Sequence, residues 1–172
     1  MNKRILFDTN IYELIAIHTK EEQLKSMKQQ LVVYGADLIR KELRDIPKNI
    51  KIDNSGKSKN LRIELLGLYD FLVGKHQQII TEQMEEVANK YFNTYKILGG
   101  AVGKSEILND FKIIACASMC NLDIVVSEDF RTMFSASAKK SYEIVNAIYG
   151  FRAPKFIDFK ELLKSFGGVK LD

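Results

Sequence analysis

The stretch Ile5-Leu6-Phe7-Asp8-Thr9-Asn10-Ile11 decides the fold, because it joins an apolar run to an acidic residue where helical spacing begins. A second apolar run, Ile124-Val125-Val126-Ser127, is followed by Asp129. The carboxyl ends of parallel strands share one edge of an open α/β sheet, which is where such folds place their chemistry. We therefore expect Asp8 and Asp129 to lie on the same rim of one sheet.

Strand-like runs alternate with segments of helical spacing along the chain. The strand-like runs are residues 4–7, 30–34, 77–81, 123–127 and 155–158. Apolar stripes predict helices that include residues 11–17, 38–46, 61–72, 84–95, 107–118 and 144–148. Strands that alternate with helices form crossover units around a parallel sheet. The sequence thus predicts an α/β fold.

Two further acidic residues lie in predicted helices, Glu42 in the second and Asp110 at the opening of the most apolar one. Each acid also has a structural interpretation. Asp8 is a good helix cap, Glu42 suits a solvated helix face, and Asp110 suits a helix start. At the fourth position the neighbouring Glu128 competes with Asp129. Strand alternation places Ser127 and Asp129 on one side, so we favour Asp129.

The composition indicates one cytoplasmic domain over residues 1–172. The chain has 172 residues of which 46% are hydrophobic, enough for a sizeable core. Asp8 and Asn10 interrupt the first apolar run too early for a signal peptide or membrane span. Cys116 and Cys120 lie four residues apart with no histidine nearby, so reduced core thiols are favoured over a zinc site.

Positive charge is concentrated in one part of the chain. The net charge is +4, and residues 47–62 contain five basic residues but only one acid, Asp53. These candidate RNA-binding residues are Lys48, Lys51, Lys57, Lys59 and Arg62. A polyanion suits such a surface because neutralised phosphates release counterions. An ordinary solvated lysine loop is the alternative.

Taken together, four blocks of this sequence resemble the PIN-domain ribonucleases, in particular VapC-like toxins of type II toxin–antitoxin pairs. The blocks are residues 5–11, residues 38–43, the stretch from Asp110 to Phe130, and Pro154-Lys155-Phe156-Ile157. The resemblance implies a three-layer α/β/α fold with a central, mostly parallel sheet of four to five strands. Residues 47–104 would form a longer helical and basic insert within it.

Carried over to these positions, the resemblance implies a catalytic and metal-binding set of Asp8, Glu42, Asp110 and Asp129. It further implies that Asn10 and Ser127 support the set, and that RNA is cleaved to leave a 5′-phosphate and a 3′-hydroxyl. The residue chemistry agrees, because a cluster of carboxylates without histidine suits Mg²⁺ or Mn²⁺ better than zinc. Without a cation, such a cluster should hold at least one acid with a raised pKa.

The leading hypothesis is a metal-dependent endoribonuclease that cleaves single-stranded or structured RNA by water attack. A catalytically silent RNA-binding or scaffold module of the same fold is the alternative. A phosphatase with Asp8 as nucleophile is disfavoured, because that chemistry needs a second acid where this chain has Asn10. The long 47–104 segment leaves open a toxin, with an antitoxin partner, or a stand-alone processing nuclease. A homodimer through the 11–17 helix remains an expectation, and no membrane association is expected.

Overall fold

The computed structural model describes residues 2–47 and 60–166 and, as backbone, residues 51, 52 and 59. The strands are β1 (Lys3–Phe7), β2 (Leu31–Ala36), β3 (Lys51–Ile52), β4 (Lys59–Asn60), β5 (Gln77–Gln78), β6 (Ile124–Val126) and β7 (Lys155–Ile157). The helices are α1 (Thr9–His18), α2 (Glu21–Gln30), α3 (Asp37–Asp45), α4 (Leu61–Val73), α5 (Glu82–Ile97), α6 (Lys104–Met119), α7 (Ala136–Tyr149) and α8 (Phe159–Phe166).

A five-stranded parallel sheet in the order β5-β2-β1-β6-β7 forms the centre of the fold. In the middle strand, Ile5 is in register with Val33 of β2 and Ile124 of β6. The three residues Ile5, Leu6 and Phe7 are fully buried, as expected for a parallel strand covered on both faces. Helices flank the sheet in an α/β/α arrangement, which confirms the predicted fold class.

Local sequence sets where the main helices begin and end. The side chains of Asn60, Thr81 and Ser135 each accept a hydrogen bond from the backbone amide three residues on, which caps α4, α5 and α7. Helices α4 and α7 end at Gly74 and Gly150, where φ is 53° and 69°. Glycine adopts such angles without strain, so both boundaries follow from the sequence.

An aromatic cluster joins α5, α6 and α7. Tyr142 meets Tyr91 and Phe111 edge to face, with ring centroids 5.0 and 5.5 Å apart. Such contacts add to the burial of the rings themselves. The Tyr142 hydroxyl also donates to the backbone oxygen of Met133 at 2.9 Å. This hydrogen bond anchors the turn that leads from β6 to α7.

Close packing beside β2 explains one glycine. A Cβ atom added to Gly35 would lie 2.1 Å from the Tyr69 hydroxyl oxygen. That hydroxyl donates to the carbonyl of Ala36 at 3.1 Å, so it cannot move away freely. The position therefore admits no side chain.

The structure corrects several sequence expectations. Asp110 does not open its helix, because α6 begins at Lys104. The prediction that the 144–148 stripe forms the buried face of its helix is wrong. Ile148 is 74% exposed, and Tyr142 and Val145 are buried instead. Helix α2 and the antiparallel β3–β4 hairpin were not predicted.

Two further expectations concern single helices. Ile11 and Ile15 of α1, in the segment suggested for dimerisation, are fully buried in their own chain, whereas Ile17 is 50% exposed. Cys116 is buried, whereas Cys120 is only half-buried, and both are free thiols. Within the described part of the chain, no helix combines the length and apolarity needed to span a membrane.

Candidate active site

Asp8 follows β1 and caps α1 at the carboxyl edge of the sheet. Its backbone amide donates to the carbonyl of Val126 at 2.9 Å, which ties it to β6. Its carboxylate accepts hydrogen bonds from the Thr9 amide at 2.8 Å, the Ser127 hydroxyl at 2.7 Å and the Asn10 amide group at 2.8 Å. Asn10 and Ser127, which are predicted from the sequence to support the set of acids, both contact Asp8.

A second pair of acids meets at Thr132. The Thr132 hydroxyl lies 2.7 Å from Oδ2 of Asp110 and also contacts Oδ2 of Asp129. Asp129 is held further by the backbone amide of Thr132, which donates to its Oδ1 at 2.8 Å, and its own amide donates to Ser127 Oγ at 2.9 Å. Ser127 therefore links the Asp8 and Asp129 sides of the site.

Glu42 joins the same edge from α3. Its carboxylate accepts hydrogen bonds from the Thr9 hydroxyl and, at 3.3 Å, from the Asn109 side chain. Thr9 therefore contacts both Asp8, through its amide, and Glu42, through its hydroxyl. The four sequence-predicted acids thus come from four separate segments and are joined by short polar side chains.

The acids of the site influence one another's ionisation. Burial raises the pKa of Asp8 to about 6, against the lowering effect of its hydrogen bonds, with Glu42 and Asp129 adding to the rise. Burial likewise raises the pKa of Asp110 to about 7, and the charges of Asp8, Asp129 and Glu42 contribute. Two carboxyl groups that titrate near neutrality are typical of sites that bind cations or move protons.

The side chains are close but not gathered as tightly as an ion requires. Among residues 2–47 and 60–166, no three His, Cys, Asp or Glu side chains form a group that could hold a metal. Like charges repel, and each carboxylate is held instead by a hydroxyl or amide group. The donor set itself, oxygen atoms of carboxylates, fits a hard dication. Binding one would require these side chains to turn toward each other.

Neighbouring acids have different roles. Glu128 accepts the Phe159 amide at 2.8 Å and so caps α8, while Asp129 contacts Thr132. Asp37 follows β2 at the same edge, but its carboxylate accepts the amides of Leu38 and Ile80 at 2.8 and 3.1 Å. The carboxylates of Glu128 and Asp37 therefore stabilise local backbone structure.

Sequence reasoning missed three site residues, Thr9, Asn109 and Thr132. Each donates a hydrogen bond to a predicted acid. From the sequence, Thr9 has no assigned role and is included only in the stretch of residues 5–11. The one available pattern for Thr132 was its spacing of three residues from Asp129, at which a side-chain oxygen reaches a backbone amide.

The predicted basic surface is only partly described. Lys48 and Lys57 lie outside the described residues. Lys51 and Lys59 lie in the β3–β4 hairpin, and only the backbone of these two residues is described. The Arg62 guanidinium donates to the carbonyl of Arg44 at 2.9 Å, which fixes it against the end of α3.

No protein-family model and no curated protein matches the sequence. Solved structures are similar in fold. A FitAB complex bound to an IR36 DNA fragment is 18% identical over 90% of this chain and 94% of the other, with a TM-score of 0.57. VapBC2 from Rickettsia felis, bound to a DNA fragment from its promoter, is 11% identical over 91% and 98%, with a TM-score of 0.55. DNA-bound VapBC from Salmonella typhimurium is 17% identical over 92% and 98%, with a TM-score of 0.53.

These matches cover nearly the whole of each compared chain, so the likeness extends to the complete sheet and its helices. They agree with the resemblance carried by the motifs around Asp8, Glu42, Asp110 and Asp129. The chain therefore has the PIN-type α/β/α fold found in the FitAB and VapBC structures.

Proposed function

We propose that this protein is a metal-dependent endoribonuclease that hydrolyses RNA at the carboxyl edge of the sheet. The observation that carries the proposal is the convergence of Asp8, Glu42, Asp110 and Asp129, with pKa values of about 6 for Asp8 and about 7 for Asp110. Burying like charges together without a counter-ion is unfavourable, so such a cluster is best explained as a cation site.

Each part of the site has a distinct task. The four carboxylates would hold Mg²⁺ or Mn²⁺, which supplies an activated water and neutralises phosphate charge. Ser127 and Asn10 orient Asp8 through hydrogen bonds of 2.7 and 2.8 Å. In the metal-free protein burial raises the pKa of Asp110 to about 7, and a bound dication would favour its ionised form, in which its oxygens serve as ligands.

The decisive experiment uses two neighbouring acids as a matched pair. Asp129→Asn should reduce Mg²⁺-dependent cleavage of RNA by about 10² to 10⁴-fold. Glu128→Gln should retain cleavage, because Glu128 contacts the Phe159 amide and not the other acids. Asp8→Ala serves as a second test, and the products should carry 5′-phosphate ends. Undiminished cleavage by Asp8→Ala would refute the proposal.

The likeness to VapBC and FitAB structures supports a toxin role with a protein antitoxin as partner, acting in the cytoplasm. If so, induced expression should arrest growth of the host, and co-expression of a neighbouring gene that encodes an antitoxin should relieve it. Growth unaffected by active protein would favour a processing nuclease instead.

One observation favours the alternative of a silent RNA-binding or scaffold module. No three potential ligands among the described residues already form a metal-binding group. Calorimetric titration separates the two functions, since a silent module would bind RNA but no Mg²⁺ or Mn²⁺.

A further inference from the structure

Phe130 is an exposed aromatic residue directly beside a candidate catalytic acid. Its side chain is 56% exposed, although it lies in a turn whose other apolar members, Met133 and Phe134, are 0% and 5% exposed. Single exposed apolar residues are common on proteins and need no explanation by themselves. What distinguishes Phe130 is that it follows Asp129 in the turn that builds the site.

The acid itself fixes the turn that presents Phe130. Oδ1 of Asp129 accepts the amides of Arg131 at 3.0 Å and Thr132 at 2.8 Å, so the carboxylate closes the turn around Phe130. The Asp129 carbonyl also accepts the Phe134 amide at 2.8 Å. The position of the aromatic ring is thus coupled to the position of the acid.

The ring is supported from below by other aromatic rings. Phe130 meets Phe134 edge to face with centroids 6.0 Å apart, and Phe134 lies 5.1 Å from Phe156. Phe156 in turn lies 5.6 Å from Tyr142 in the core. One side of the Phe130 ring therefore packs against aromatic residues that connect to the core, while more than half of its surface is exposed to solvent.

We propose that Phe130 is a substrate-binding residue that stacks on an unpaired base next to the scissile phosphate, so that the enzyme selects single-stranded RNA. This inference rests on the proposed ribonuclease function. Single-stranded nucleic acids are recognised by aromatic side chains on which exposed bases stack, and bases inside a duplex do not offer their faces. The exposed Arg131 follows Phe130 and would place a cation beside the RNA backbone.

The surroundings of Phe130 favour RNA over a protein partner. The adjacent residues Glu128 and Arg131 are both exposed and charged, so Phe130 is not part of a continuous apolar patch in its turn. Protein interfaces typically bury such a patch at their centre. A lone aromatic ring beside the cationic Arg131, next to a site proposed to hold a dication, suits a base and its phosphate better.

The absence of tryptophan from the chain makes a direct test possible. Phe130→Trp introduces a sole tryptophan fluorophore at the rim, and stacking of bases should quench it when short single-stranded RNA of mixed sequence is added. Phe71→Trp is the matched control. Phe71 is also exposed, at 44%, but lines a cavity with Asn2 and Leu31 at the amino ends of β1 and β2. Both variants are made with Asp110→Asn so that the RNA stays intact.

The expected result is quenching at position 130, none at position 71, and much weaker quenching with fully paired RNA. In otherwise unmodified protein, Phe130→Ala should weaken single-strand binding by about 5- to 100-fold and raise KM, while Phe130→Tyr retains binding. Unchanged fluorescence of the Phe130→Trp variant together with normal cleavage by Phe130→Ala would overturn the inference, as expected if the ring serves a protein contact. If the unmodified protein neither binds nor cleaves RNA, the proposed function itself fails.

Discussion

Replacing Asp110 by asparagine should stabilise the metal-free protein at alkaline pH while removing its proposed activity. Burial and the charges of Asp8, Asp129 and Glu42 raise the Asp110 pKa from its ordinary value of 3.8 to about 7. Asparagine is nearly the same size and keeps an oxygen that can accept the Thr132 hydroxyl. It carries no charge, so it removes the electrostatic penalty and leaves the packing in place.

The sign and size follow from proton linkage. The folded protein binds the Asp110 proton more tightly than the unfolded chain does, so the ionised acid destabilises the fold most above about pH 7. This penalty disappears as the pH falls toward about 4. At about 1.4 kcal/mol per tenfold change in proton affinity, the difference between 3.8 and about 7 is on the order of 4 kcal/mol.

A desolvated amide group offsets part of this gain, so we expect about 2 kcal/mol of stabilisation in the variant. For a chain of 172 residues this corresponds to a rise in Tm of about 4 to 8 °C.

Thermal unfolding followed by circular dichroism with a chelator present is the assay. Asp110→Asn should have a higher Tm than the unmodified protein at about pH 8.5 and nearly the same Tm at about pH 5. At about pH 5 the folded protein holds the Asp110 proton but the unfolded chain does not, so a penalty of roughly 1.5 kcal/mol remains, which the cost of the buried amide group offsets. Glu13→Gln, which changes an exposed acid on α1, is the control and should change neither value. Equal Tm differences at the two pH values would refute the reasoning, because the effect would then not come from titration of Asp110.

Four further predictions concern the site, two glycines and the basic segment. Thr132→Val removes the hydroxyl that lowers the pKa of Asp110, so the pH profile of cleavage should shift to higher pH, whereas Thr132→Ser should restore it. Gly35→Ala should destabilise the protein by about 1 to 3 kcal/mol in denaturant titrations, because its Cβ would meet Tyr69. Gly67→Ala, with open space around its Cβ in α4, should instead stabilise it by about 0.5 to 1 kcal/mol. Charge reversal at Lys57 and Lys59 should weaken RNA binding and flatten its dependence on salt, and an unchanged slope would exclude their contact with phosphate.

The sheet was predictable because its strands carry strong and simple patterns. The runs around Ile5 and Ile124 are short, apolar and branched, as buried parallel strands must be. Their order along the chain, with helices between them, leaves few topologies open. It also brings Asp8 and Asp129 to one edge before any side-chain geometry is known.

The sequence did not reveal features that depend on contacts between distant segments. Helix α2 is mostly polar, and Met27 is the only one of its described residues that is fully buried. It therefore lacks the apolar stripe from which a helix is predicted. The α7 face was misassigned because polar Asn146 is buried through its hydrogen bond to Ser118 of α6, while apolar Ile148 is exposed. Thr132 bridges two acids 22 and 3 residues away in the chain, which no local pattern encodes.

The order of the strands also determines when the protein becomes competent during its synthesis. β1 is translated first but lies in the middle of the sheet, next to β6, which is translated much later. The carbonyl of Val126 and the hydroxyl of Ser127 hold Asp8 in position, so a nascent chain has no assembled site until both have left the ribosome. A product truncated before β6 would lack both groups that hold Asp8, so the proposed nuclease site would assemble only after β6 and the turn that follows it have been translated.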